Sequence, residues 1–175
     1  MAFEFKITAT LAGDLMKFGP LIPGRVALPA SQSTRDGVGG LFLLDTGAGH
    51  SAIDESVATE LGLKPARVIH GHGLSGETEV NCYSVKLFIP AEPLRMALQP
   101  GQTAFMGIPQ DVGGVVNLHQ GHEAVLGKLP GRIIGLLGRS FLHWTKTTYD
   151  GLAGTVTIEV DEAMRHPTMD GPSTL

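Results

Sequence analysis

The residues in this chain best suited to chemistry are Asp45, Thr46, Gly47 and Ala48, which follow the apolar pair Leu43-Leu44 and form a motif that occurs once in 175 residues. A carboxylate on a tight loop at the end of a buried strand is placed for general acid–base work. Two such groups in contact share one proton, because like charges about 3 Å apart cannot both ionise. One can then take a proton from an attacking water while the other gives one to a carbonyl oxygen. A single copy of the motif supplies only one of the two acids. Gly47 lets the loop turn tightly and brings backbone N–H groups toward the carboxylate, and the β-branched Thr46 has few rotamers to lose. Asp36, Asp54, Asp111, Asp150, Asp161 and Asp170 lack a following Thr/Ser-Gly and read as turn or surface residues.

The elements that must position Asp45 are legible from periodicity. Phe3, Phe5 and Ile7 alternate with Glu4, Lys6 and Thr8, an opening strand. An extended piece around residues 20–28 carries Pro20 and Pro23, which predicts pairing at a sheet edge. Residues 29–40 are polar and Gly-rich, a surface loop or hairpin connection. Leu41–Leu44 is a continuous apolar run, short enough for a strand buried on both faces. Asp54 caps a short helix that buries Val57, Ala58 and Leu61 and stops at Gly62. Residues 67–89 form a hairpin with a glycine-rich tip, in which Tyr83, Val85, Leu87 and Ile89 share a face. Residues 91–131, dense in Gly and Pro, read as short strands and loops. Residues 133–138 are a second buried run ending in glycine. They lead into a short helix that buries Phe141, Leu142 and Trp144. Val156, Ile158 and Val160 line a closing strand, and the expected domain covers residues 1–165. Residues 166–175 have little to bury and are expected to be a disordered tail.

The apolar run with Asp-Thr-Gly-Ala, followed about ninety residues later by Ile-Ile-Gly-Leu-Leu-Gly-Arg and a short helix, resembles the retropepsin-like aspartic proteases. The resemblance covers roughly residues 20–160. It implies a mostly β domain, a closed or partly closed barrel with one or two short helices, active as a symmetric homodimer. It also implies that the Asp-Thr-Gly-Ala and Gly-Arg elements cross in a psi-shaped arrangement. By the same comparison Asp45, Thr46 and Gly47 are the catalytic loop, with the Thr46 hydroxyl bonding across the two-fold axis. Residues 67–80 are a flap closing over a bound peptide, with Gly73, Leu74, Ser75 and Gly76 at its tip. Ala48 and His50 are expected to line the substrate site. Ala48 stands where bilobal relatives carry a hydroxyl donor to the carboxylate, so a less acidic optimum is expected here. Viral members carry acids where Gly49 and His50 stand, the first pairing with the arginine that matches Arg139. Here Arg139 must find a backbone carbonyl or another acid such as Asp54.

Other constellations have plainer readings. Residues 71–76 match G-x-G-x-x-G, but a dinucleotide site needs a helix after the last glycine, and the following residues are strand-like. His70 with His72, and His119 with His122 and Glu123, have ligand-like spacing without a complete ligand shell, so hydrogen-bonded or surface histidines are expected. Cys82, in an alternating strand, reads as a packing residue.

With 24 Gly, 11 Pro and a net charge of -4, the chain favours turns and short strands and offers no basic stretch for nucleic acid. One cysteine cannot form an intramolecular disulfide, as in a reducing compartment. No run approaches the ~20 apolar residues of a membrane span, so a cytoplasmic protein with no membrane partner is expected. The function expected is an aspartic endopeptidase acting on peptide or protein substrates, with no cofactor and no metal. The alternative is a non-catalytic dimer of the same fold that binds peptides or proteins.

Overall fold

The computed structural model describes residues 3–10, 19–73, 76–94, 97–98, 100, 103–118 and 131–161. In chain order the elements are β1 (Phe3–Thr10), β2 (Leu21–Ala27), a 3-10 turn (Thr34–Asp36), β3 (Val38–Leu44), β4 (Ala52–Asp54) and α1 (Glu55–Glu60). There follow β5 (Arg67–Gly73), β6 (Gly76–Pro90), β7 (Glu92–Pro93), β8 (Phe105–Val115), β9 (Ile133–Leu137), α2 (Arg139–Leu142), β10 (Thr145–Asp150) and β11 (Thr155–Asp161).

Six strands close on themselves in the order β2, β3, β9, β4, β8, β6 and back to β2, so the expected closed barrel forms and leaves those strands no long free edge. The apolar run of β3 divides as a strand with two buried faces should. Phe42 and Leu44 join the main core with Ile22, Val26, Ile53, Leu87, Ile134 and Leu137. Leu41 belongs to a second cluster with Leu21 and Ile133, against which Leu43 and Leu118 pack. A smaller sheet, in the order β10-β11-β1-β7, adds Ile7, Val156, Ile158 and Val160 to the main core.

Three expectations are corrected by this arrangement. Strand β2 is an edge only in its first half. At Pro23 it faces Leu41 alone, but from Arg25 to Ala27 it also pairs with Phe88 to Lys86 and closes the barrel. The proline therefore sits where its missing N–H costs nothing. Residues 105–115 form one eleven-residue strand rather than short pieces, paired along most of its length with β6. Its glycines make room for neighbours: a Cβ at Gly107 would stand 3.1 Å from both the Phe88 ring and the Lys86 side chain. Trp144 is 37% exposed rather than buried, and stacks edge-on against His143.

Helix α1 starts as expected. The Asp54 carboxylate accepts from Ser56 N at 2.9 Å, Val57 and Ala58 are buried, and Gly62 ends the turn at φ +64°. Burial of Asp54 opposes its charge. Bonds from the Ser56 hydroxyl, Ser56 N and Leu118 N, with the Arg132 charge, outweigh that and hold it below the usual carboxylate range. The first residue of α1, Glu55, accepts from the Tyr83 hydroxyl at 2.6 Å and from Asn81 at 3.1 Å, tying the helix to β6. Burial, then the Glu55 carboxylate, pushes the Tyr83 phenol up to about 12. The tail at residues 166–175 lies outside the described residues. Among the described residues no helix is long and apolar enough to cross a membrane.

Candidate active site

Asp45 is the first residue after β3, and the parallel partner β9 fixes where it stands. Leu43 and Leu44 pair with Leu136 and Leu137, and Asp45 N donates to Leu137 O at 3.0 Å. The chain then folds back on its own carboxylate. Gly47 N and Ala48 N donate to Asp45 Oδ1 at 2.8 and 3.2 Å, and Ala48 N also reaches Asp45 O at 3.3 Å. A Cβ on Gly47 would lie 3.1 Å from Oδ1, so glycine allows this close approach. These bonds occupy Oδ1 and leave Oδ2 without a partner among the described residues. Asp45 and Ala48 are half-buried, whereas Thr46, Gly47, Gly49 and His50 are exposed. The acid therefore stands on an open face. A recess of about 450 Å³ at the seam between β2 and β6, lined by Pro23, Gly24, Gly40, Pro90 and Phe105, includes none of residues 45–50.

Behind the loop lies the segment from Leu137 to Phe141. Arg139 N donates to Ala48 O at 2.9 Å and Ser140 N to Gly49 O at 3.2 Å. The Arg139 guanidinium, with no acid at Gly49, donates from Nη1 to Thr46 O at 3.2 Å and Gly47 O at 3.1 Å. Of the two partners open to it, Arg139 takes backbone carbonyls and not Asp54. Four-residue α2 is too short to hold itself together. Phe141, fully buried in the core, anchors it, a burial that contributes roughly 1.5–3 kcal/mol. The two elements thus cross behind Asp45, with β4 antiparallel to β9 on the far side.

Serines that sequence reasoning passed over hold this crossing. Ser51, fully buried, donates its N–H to Ser140 Oγ at 2.9 Å and accepts from Gly138 N on its own hydroxyl at 3.2 Å. Gln110 of β8 reaches the same Ser140 hydroxyl at 3.0 Å. Nothing in the spacing of a lone serine distinguishes it from a surface residue. Only its place beside the glycine-arginine element could have drawn notice.

Gly71 and Gly73 lie in β5 and Gly76 opens β6, with Gly73 opposite Gly76, so a strand and not a helix follows the last glycine. Among the described residues strand β5 pairs only with β6, and it stands outside the closed barrel. Gly76 adopts φ +106°, a conformation glycine alone takes readily. Leu74 and Ser75 lie outside the described residues, as do His119, His122 and Glu123. No group of three or more His, Cys, Asp or Glu among the described residues could hold a metal. Cys82 is a buried free thiol.

A closed β-barrel that presents an Asp-Thr-Gly-Ala loop against a glycine-arginine turn defines a class, and the family comparison agrees with it. The aspartyl protease family model matches residues 32–141, a span that contains both crossing elements. The chain belongs to the aspartyl protease family. Among solved structures it is similar to a retropepsin-like aspartic protease from Rickettsia conorii, at 17% identity over 91% of this chain and 95% of that one, with a TM-score of 0.44. It is also similar to EIAV protease in complex with the inhibitor HBY-793, at 19% identity over 71% of this chain and 85% of that one, with a TM-score of 0.32. No curated protein sequence matches the chain significantly.

Proposed function

We propose that the chain is an aspartic endopeptidase whose reacting pair is Asp45 from each of two identical copies, each copy being one domain over residues 1–165. The observation that carries this reading is the half-buried Asp45 carboxylate on an exposed loop, bonded by two backbone N–H groups on Oδ1 and, among the described residues, without a partner on Oδ2. One chain offers one such acid, and an open face is what a second copy would cover. Across that face the exposed Thr46 would donate to the partner loop. The two acids would share a proton. The ionised one takes a proton from water as the water oxygen attacks the peptide carbonyl carbon, and the neutral one protonates the carbonyl oxygen. Collapse of the tetrahedral intermediate breaks the C–N bond. The acid that received the water's proton passes one to the leaving nitrogen, and the other regains one from the intermediate's hydroxyl. Gly73, Leu74, Ser75 and Gly76 would close over the substrate, with Ala48 and His50 beside it. No metal or organic cofactor enters this scheme.

The test is a broad peptide library exposed to the wild type and to Asp45→Asn. The amide is nearly isosteric but cannot take the proton, so activity should fall at least ~10³-fold with the fold unchanged by circular dichroism. Activity within a few-fold of wild type would end this reading. Peptides captured but left uncut by the wild type would instead identify a binding module.

A further inference from the structure

We infer that Ser140, Ser51 and Gln110 form a hydroxyl–amide clamp, with Ser51 buried and the other two half-buried, that positions the Asp45 loop for the reaction; this rests on the reading of Asp45 as the reacting acid. The case begins with proton accounting. Ser140 Oγ accepts from Ser51 N at 2.9 Å and from Gln110 Nε2 at 3.0 Å, which fills both lone pairs. Its own proton must then go to Ser51 Oγ at 3.3 Å, which already accepts from Gly138 N. Two buried groups remain unmet: the Ser51 O–H, and Gln110 Oε1, which is buried without a partner. Each such group carries a desolvation cost.

Turning the Gln110 amide over resolves one of the two. Ser51 O–H then donates to Ser140 Oγ, and Ser140 O–H donates to Gln110 Oε1. Ser51 N and Gly138 N keep their acceptors. The unmet groups fall from two to one, the Gln110 NH₂. The chain of donors now runs one way, from Gly138 N through Ser51 and Ser140 to Gln110, and joins the 138–140 turn to β8 behind the loop.

The Ser140 hydroxyl is the side-chain acceptor that holds the loop at Ser51, between backbone bonds on either side. Ser140 N holds Gly49 O, its hydroxyl holds Ser51 N, and Ser51 O accepts from Gly113 N at 3.0 Å. None of the three side chains reaches Asp45, so their effect is on where the acid stands, not on the proton it transfers.

The experiment uses full-length Ser140→Ala and Gln110→Met, with Ser140→Thr as the rescue that returns the hydroxyl. Steady-state kinetics and backbone hydrogen exchange are read on each. The clamp predicts that Ser140→Ala lowers kcat by roughly 10- to 100-fold per folded molecule at near-constant KM, because a misplaced reacting group loses rate and not binding. Exchange at Ser51 N and Gly138 N should quicken by about tenfold or more as the loop loosens. Ser140→Thr should recover most of both, and Gln110→Met should move both in the same direction as Ser140→Ala. If Ser140→Ala does not fold, Gln110→Met decides by the same readouts. A kcat within threefold of wild type, a loss confined to KM, or unchanged exchange would overturn the clamp. Exchange is measurable whether or not peptides are cut. A wild type without activity would therefore sink the protease reading alone, and exchange would still judge the clamp.

Discussion

Gly138→Ala should be among the most damaging single-methyl additions in the chain. The φ of Gly138 is -89°, which any residue adopts, so only space demands glycine there. A Cβ would lie 2.6 Å from the His50 carbonyl carbon and 3.0 Å from Ala48 O, and closer still to His50 O. All three are backbone atoms, and none can swing aside as a side-chain end would. Non-bonded carbon contacts settle near 3.5 Å, so one strand of the crossing must move by roughly 1 Å. That shift would strain the bonds from Arg139 N to Ala48 O and from Ser140 N to Gly49 O, and it would carry Asp45 with the loop. Overpacking of this kind costs ~1–3 kcal/mol of stability. A 1 Å misplacement of a reacting group costs about 10²-fold in rate. The control is Gly49→Ala on the same loop, whose Cβ would meet the end of the Arg139 side chain at 3.5 Å, an ordinary van der Waals contact. The assay is kcat per folded molecule with the thermal midpoint alongside. If Gly138→Ala stays within threefold of Gly49→Ala in rate and melts at the same temperature, the crossing does not hold Asp45 as described.

Two further outcomes follow from the same geometry. Asp54→Asn keeps the Ser56 cap but turns an N–H toward the Leu118 N–H that Asp54 Oδ2 now accepts at 2.9 Å, so stability at pH 7 should fall by about 1–2 kcal/mol. Because the folded Asp54 is held below its ordinary value, its charge stabilises above about pH 4 and that contribution is lost as pH falls through the folded value, so the wild-type advantage in chemical denaturation should shrink on acidification. Gly76→Val, at φ +106°, and Gly73→Val should slow turnover while leaving the barrel's melting nearly unchanged, since among the described residues β5 pairs only with β6. Normal turnover in both variants would remove residues 71–76 from the substrate site.

How much was legible depended on whether local pattern and tertiary demand agreed. Leu41–Leu44 and residues 133–138 read correctly because strands buried on both faces need unbroken apolar runs. The Asp54 cap and the Gly62 stop are local chemistry, and both stand. Strand β8 is hidden in the sequence because its glycines serve its neighbours: Gly107 leaves room for Phe88, and Gly113 leaves room for Val80. The prolines of β2 speak only for its open half, and nothing local marks where the strand begins to pair on both sides. The exposure of Trp144 is not legible in the sequence because a four-residue helix has no second turn to fix which face is buried. The crossing at Asp45 is what the family resemblance implies, whereas the Ser51–Ser140–Gln110 bonds join residues 30 to 89 positions apart and leave no local trace.

The central claim is that two chains complete one site, and subunit mixing tests it most directly. Wild-type protein at fixed amount is combined with a ninefold excess of Asp45→Asn chains, with exchange verified by differently tagged copies. Under random exchange, doubly wild-type dimers fall to ~1% of all dimers while wild-type chains are ~10%, so peptidase activity should drop about tenfold. If the chains exchange and activity stays constant, each chain carries a complete site and the two-chain account is wrong.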